Sequence, residues 1–282
     1  MEMDGAVKKF QPMDMGGDME KTRALVTGAT SGIGREFADI LAEKGHDLFL
    51  VGRKEQTLGE IKATFEKKHG IRVETFAIDL AGPDSARQLH GEIKKRNMDI
   101  DVLINNAGFG VGGEHVDLDL DRVGEMIQLN VGTPTALCHL IGRDMKDKKR
   151  GYILNVASTA AFQPDPYLAA YGATKSYVLN FSEALAKEME EYRVVVSCLC
   201  PGPTDTQFFE SFNIVNGDKS IFSTRSRMDS RQVAQIGLRA LFGGRLSSIA
   251  GTMNALMALG NRFVPRTLSA TVSKRIMKKG IR

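Results

Sequence analysis

From Arg23 to Cys200 the chain switches repeatedly between two hydrophobic rhythms. Short, nearly uninterrupted apolar runs fall at Ala24–Val26, Leu48–Val51, Arg72–Ile78, Val102–Ile104, Tyr152–Val156 and Val194–Leu199. Between them lie amphipathic stretches at Ile33–Lys44, Lys54–His69, Asp84–Arg96, Leu120–Asp147 and Ala169–Glu191. A strand that is apolar at successive positions must be covered on both faces, and intervening helices supply the cover. Such β–α units imply a parallel sheet with right-handed crossovers. The expectation is a single doubly wound α/β domain whose ligand crevice lies at the carboxyl ends of the strands.

With 282 residues, 42% of them hydrophobic, the chain can bury one large core, and no repeat or Pro-rich linker divides it. Residues 1–20 have no continuous apolar stretch and read as a poorly ordered extension without a secretory signal. The α/β domain is expected over 21–251, completed by a helix at Ser230–Phe242 and a short strand near Ser248–Ala250, and a basic amphipathic, helical extension over 252–282. Cys138, Cys198 and Cys200 form no CxxC pair and read as reduced core thiols of a cytoplasmic protein. The five histidines are scattered without ligand spacing, so no metal site is expected.

The segment Thr27-Gly28-Ala29-Thr30-Ser31-Gly32-Ile33-Gly34 joins the first strand to the first helix. Gly28 lets the chain leave the strand sharply, while Gly32 and Gly34 allow close approach of backbone to a pyrophosphate and of helix to sheet. The helix beginning near Ile33 aims its free N–H groups and dipole at the phosphates. A glycine cluster can equally be a plain tight turn, but this one has the strand-to-helix context that a phosphate cradle needs. Its spacing is GxxxGxG, not the GxGxxG of two-domain dehydrogenases.

Other motifs follow in order. Asn105-Asn106-Ala107-Gly108 comes after the fourth strand, Asn130 lies in the next helix, and Ser158 ends the fifth strand. Tyr171-x-x-x-Lys175 opens the following helix, and Pro201-Gly202 with Thr204 and Thr206 closes the set. On these motifs residues 22–206 resemble the short-chain dehydrogenase/reductase family. The resemblance implies a Rossmann domain with a predominantly parallel seven-stranded sheet, a nicotinamide cofactor, and interconversion of a ketone with a secondary alcohol. It implies that Gly28, Thr30, Ser31, Gly32, Ile33 and Gly34 hold the cofactor, with Asp79 and Leu80 beside the adenine. Asn106, Ala107, Gly108, Pro201, Gly202, Thr204 and Thr206 complete that set. Tyr171 becomes the acid/base and Lys175 also holds the nicotinamide ribose. Ser158 binds the substrate oxygen, and Asn130 anchors a water that relays protons to Lys175.

Carbonyl reduction needs a hydride on carbon and a proton on oxygen. A free tyrosine, with a pKa near ~10, is poorly matched to neutral pH. A lysine one helical turn away favours the phenolate, and residues i and i+4 share a helix face. At the end of the second strand an acidic residue would repel an adenosine 2′-phosphate. This chain has Gly52-Arg53-Lys54 there, which favours NADP(H), with NAD(H) the alternative and an ordinary basic helix start the plain reading.

After Thr206 the β–α rhythm stops. Residues 207–229, with Phe208, Phe209, Phe212 and Phe222, are expected to form a substrate lid for an apolar ketone, a 3-oxoacyl chain or a steroid-like carbonyl. The stretch Asn155–Pro164 and Cys200–Thr204, with the extended tail, resembles bacterial short-chain reductases of unassigned chemistry that are similar to long-chain ketoacyl and 17β-hydroxysteroid reductases. From Ser230 onward there are ten basic and no acidic residues, against 28 basic and 34 acidic before it. A basic amphipathic tail of this kind either packs on its own protein or lies on an anionic membrane as a peripheral contact. It is too interrupted for a spanning helix, and its sparse aromatics argue against nucleic acid. Family analogy implies a homodimer or homotetramer. The alternatives to a reductase are an NAD-dependent alcohol dehydrogenase of the same fold and a non-catalytic dinucleotide-binding or membrane-surface protein.

Overall fold

The computed structural model describes residues 22–206 and 227–278. The expected N-terminal extension, most of the expected lid (207–226), and Lys279 and Arg282 of the tail lie outside the described residues.

Seven strands form one parallel sheet: β1 (Arg23–Thr27), β2 (Asp47–Gly52), β3 (Val73–Ala77), β4 (Val102–Asn105), β5 (Gly151–Val156), β6 (Val194–Cys200) and β7 (Ser247–Ile249). Their order is β3-β2-β1-β4-β5-β6-β7, so the winding reverses between β1 and β4. A crevice opens beyond the strand ends at such a reversal. Alternate side chains feed opposite cores. Val26, Leu50 and Leu154 pack under α1 (Gly32–Glu43) and α2 (Glu55–His69). Leu25, Phe49, Leu103 and Ile153 pack on the other side, under α3 (Ser85–Lys95) and, further along the chain, α5 (Thr133–Lys148) and α6 (Ala169–Met189).

The expected single helix over Leu120–Asp147 is instead interrupted. α4 (Leu120–Ile127) passes through a wide π turn at Gln128–Gly132 before α5 begins. Pro134 has no N–H to offer the carbonyl of Asn130, so the regular ladder cannot run through this point and the wider turn takes its place. Asn130 is therefore in the π turn, fully buried, rather than on a regular helix.

A buried polar chain fixes α6 on the sheet. Asn105 donates to Asn155 Oδ1 at 2.8 Å, and Asn155 donates to Ser182 Oγ at 2.9 Å. On the opposite face α7 (Ser230–Phe242) lies against α1 through a glycine: a Cβ on Gly237 would stand 2.9 Å from Leu199 and 3.2 Å from the Phe37 ring. Arg231 reinforces the pair by bridging Glu36, Asp39 and Glu43 of α1.

The tail forms two helices, α8 (Thr252–Gly260) and α9 (Arg266–Met277), and folds back on its own domain. Among the described residues no helix is long and apolar enough to cross a membrane.

Candidate active site

The reversal between β1 and β4 opens into a cleft of about 1650 Å³. Pockets for drug-sized ligands span roughly 300–1,000 Å³, so this cleft has room for a dinucleotide and a second molecule. Every site residue expected from the sequence lines it except Gly34 and Asn130, which stand behind its wall.

At one end lies the glycine turn. Gly28 has φ +67° and Gly32 φ +53°, both in the left-handed region that favours glycine. A Cβ on Gly34 would lie 2.2 Å from the carbonyl oxygen of Gly28, so this glycine serves the helix–strand approach and not the cleft surface. Ser31 precedes α1 without capping it through its side chain, which leaves the first-turn N–H groups of a twelve-residue helix free for an anion. The turn is held from behind by Thr27, a residue sequence reasoning missed. Its hydroxyl donates to Ile104 O at 3.3 Å and accepts from the backbone N–H groups of Asn106 and Ala107, each at 3.0 Å. The Asn106 amide donates to Thr27 O at 3.0 Å. Arg53 and Lys54 line the cleft after β2 and form no ion pair among the described residues. This donor set, with open helix N–H groups, two glycines at positive φ and unpaired cations, fits a phosphorylated dinucleotide.

At the other end stand Ser158, Tyr171 and Lys175. Ser158 follows β5, and its Oγ accepts the Ala160 N–H at 3.2 Å. Tyr171, in the first turn of α6, is hydrogen-bonded to Ser158 and nine-tenths or more buried. Burial pushes its hydroxyl well above the ordinary tyrosine range; the Ser158 bond pulls it back, and the negative charge of Asp165 pushes it further up. Lys175 does not offset this. It is buried too, donates to Val156 O at 3.0 Å, and is pushed down to about 8 by its own desolvation. The expected lowering of the tyrosine by its lysine is thus outweighed by burial in the protein itself.

Asn130 sits behind this group. Its amide donates to Phe109 O at 2.9 Å and to Thr174 Oγ1 at 3.1 Å, and its Oδ1 accepts the Phe109 N–H at 3.2 Å. Gly108 lies between Asn130 and Lys175: a Cβ there would meet Asn130 Oδ1 at 2.8 Å and Lys175 Nζ at 3.6 Å.

The tail supplies the remaining wall, which sequence reasoning did not place. Met257, Val264, Leu268, Val272 and Ile276 line the cleft together with Gln163 and Asp165 from the loop before α6. Asn254 also reaches it, and a Cβ on Gly202 would collide with its amide at 2.3 Å. The amphipathic pattern of the tail signalled that it packs on a surface, but not that the surface is this cleft.

The family model for short chain dehydrogenases matches residues 22–215. This chain belongs to the short-chain dehydrogenase family. Relatives within and around the family agree with the fold. A short-chain dehydrogenase from Sphingobium yanoikuyae, solved in complex with NADPH, superposes with a TM-score of 0.77 at 27% identity, covering 86% of this chain and 93% of its own. A very-long-chain 3-oxoacyl-CoA reductase of Laccaria bicolor is 36% identical over 62% of this chain. The chain spans about half the length of that reductase, 53%. An uncharacterised oxidoreductase of Staphylococcus saprophyticus is 28% identical over 79% of this chain and 92% of its own length. Its sheet and helices follow the architecture of the solved relative.

Proposed function

We propose that this short-chain dehydrogenase is an NADP(H)-dependent reductase of apolar ketones, with an extended 3-oxoacyl chain as the substrate class. The observation that carries this reading is the Ser158–Tyr171 pair at the end of one cleft that continues past the glycine turn to Arg53 and Lys54. When bound, NADPH supplies the hydride. Gly28, Gly32 and the first turn of α1 would hold its pyrophosphate, and Arg53 and Lys54 its 2′-phosphate. Ser158 orients the substrate oxygen by hydrogen bonding. Tyr171, kept protonated at neutral pH by burial, is in the form that donates a proton to the oxygen of a carbonyl undergoing reduction. Lys175, mostly charged at neutral pH, stabilises the phenolate left behind, and Asn130 holds the backbone of Phe109 beside it. The solved relative with NADPH and the relatives named 3-oxoacyl-CoA reductases support the cofactor and substrate class.

The test is NADPH and NADH consumption with a panel of apolar ketones and 3-oxoacyl thioesters. Turnover with NADPH, lowered at least about 100-fold in Tyr171→Phe, is the expected result. Equal rates with the variant would overturn the assignment, and a preference for NADH would overturn the cofactor.

Two assembly readings accompany this one. Leu120 and Ile127 of α4 and Tyr177 of α6 are exposed apolar residues, which supports a second copy docking along these helices; solution mass measurement decides it. Met253, Leu256, Leu259 and Phe263 are more than half exposed beside Arg262 and Arg266, which supports peripheral contact of the tail with an anionic membrane.

A further inference from the structure

The loop between Ser158 and α6 carries a polar cluster that proton transfer does not use. Asp165 is buried, and among the described residues no cation pairs with it. Its Oδ1 accepts from Ser273 of α9 at 2.9 Å, and the Gln163 amide donates to both of its oxygens at 3.2 Å. Gln163 in turn accepts from Asn261 at 3.1 Å, and Asn261 accepts from Ser269 of α9 at 3.2 Å. The loop therefore grips α9 at two points, directly through Ser273 and indirectly through Asn261 and Ser269.

Apolar packing alone holds α9 weakly. Met277 is its one buried residue, set against Met126, Leu168 and Tyr171. Leu268, Val272 and Ile276 line the cleft but are about half exposed. Hydrophobic contacts of this sort favour proximity without fixing register, whereas a chain of directional hydrogen bonds fixes it. The grip also has its root at the reaction centre: the Asp165 carbonyl accepts the Leu168 N–H at 3.0 Å, at the start of the helix that carries Tyr171.

We propose that Gln163 and Asp165 are positioning residues that clasp α9 as the substrate-side wall, so that an extended apolar chain is held along Leu268, Val272 and Ile276 with its carbonyl at Tyr171. This deepens the reductase reading and rests on it for the substrate class. A short ketone, filling only the space near Ser158 and Tyr171, does not reach the clasped wall; a long chain does.

The experiment uses the full chain with NADPH present and compares Ser273→Ala, Asn261→Ala, their double variant and Ser273→Thr. Amide hydrogen exchange over residues 266–277 should accelerate about tenfold in the double variant while that of α6 stays unchanged. With a long 3-oxoacyl thioester, KM should rise about tenfold and kcat change less than about twofold; with a short one, KM should hold. Ser273→Thr, which keeps the hydroxyl, should restore the parent values. Unchanged exchange over α9, equal KM shifts for both chain lengths, or failure of the threonine to restore them would each overturn the clasp. If the parent chain reduces no oxo chain at all, the reductase reading fails, and the exchange measurement alone still decides whether the clasp exists.

Discussion

Asp165 costs the folded protein more as pH rises. Its carboxyl is pushed up to about 6 by burial, with the Ser273 and Gln163 hydrogen bonds only partly opposing this. The folded chain therefore binds that proton more tightly than the unfolded one. The cost is absent below the unfolded pKa of about 4 and fully present above about 6. Replacing it with asparagine should shift relative stability in the variant's favour by about 1–3 kcal/mol between about pH 4 and pH 7. Thermal unfolding at the two pH values checks this, and a pH-independent difference would show that charge is not the cause. At the far end of the cleft, Arg53→Ala should raise KM for NADPH about 10–100-fold and leave NADH nearly unaffected, measured by steady-state kinetics. The sequence placed the glycine turn by its strand-to-helix context and the Ser158, Tyr171 and Lys175 group by the ordered motifs that carry the family resemblance, and the structure brings these residues to one cleft. The roles of Thr27 and Asp165 were not legible in the sequence. Their partners, Asn106 and Ala107 for one and Ser273 for the other, come from segments that only the folded chain brings near.

Among the elements, close approach is decided by small residues. Gly237 allows α7 to lie on Phe37 and Leu199. Alanine there gains up to ~1 kcal/mol of helix propensity but forces an overpacked contact costing ~1–3 kcal/mol. Gly237→Ala should therefore lower stability by about 1 kcal/mol in denaturant unfolding, and an increase would mean that α7 moves freely on α1. The strands were readable to within a residue or so, since fully covered strands are apolar at nearly every position. The break between α4 and α5 was not, because the apolar periodicity of residues 120–147 continues across it. The decisive feature is the missing N–H of Pro134, a backbone property that hydrophobic pattern does not register. The helical character of the tail was expected and α8 and α9 supply it, but nothing in its local sequence tells which surface it returns to.

Over the whole molecule, charge is divided between an acidic body and a wholly basic final stretch. If the tail meets membranes, the protein should sediment with vesicles containing anionic lipid but not with neutral ones. Binding should weaken as salt shortens the Debye length from about 10 Å at 0.1 M towards 3 Å at 1 M. Loss of binding in Phe263→Ser with Arg266→Glu would assign it to the tail, and salt-insensitive binding would point away from electrostatics. The charge division was plain in the sequence, but the return of the tail to the cleft was not. That return has an evolutionary consequence. The cofactor cradle is woven through the sheet, where a change in length disturbs every later strand, whereas α8 and α9 follow the last strand and are anchored to it at one end only. A wall built from α8 and α9 can therefore change in length or composition without shifting the register of any strand. On the reductase proposal, selectivity can diverge within these two helices while the glycine turn and the Ser158, Tyr171 and Lys175 group keep their places in the cleft.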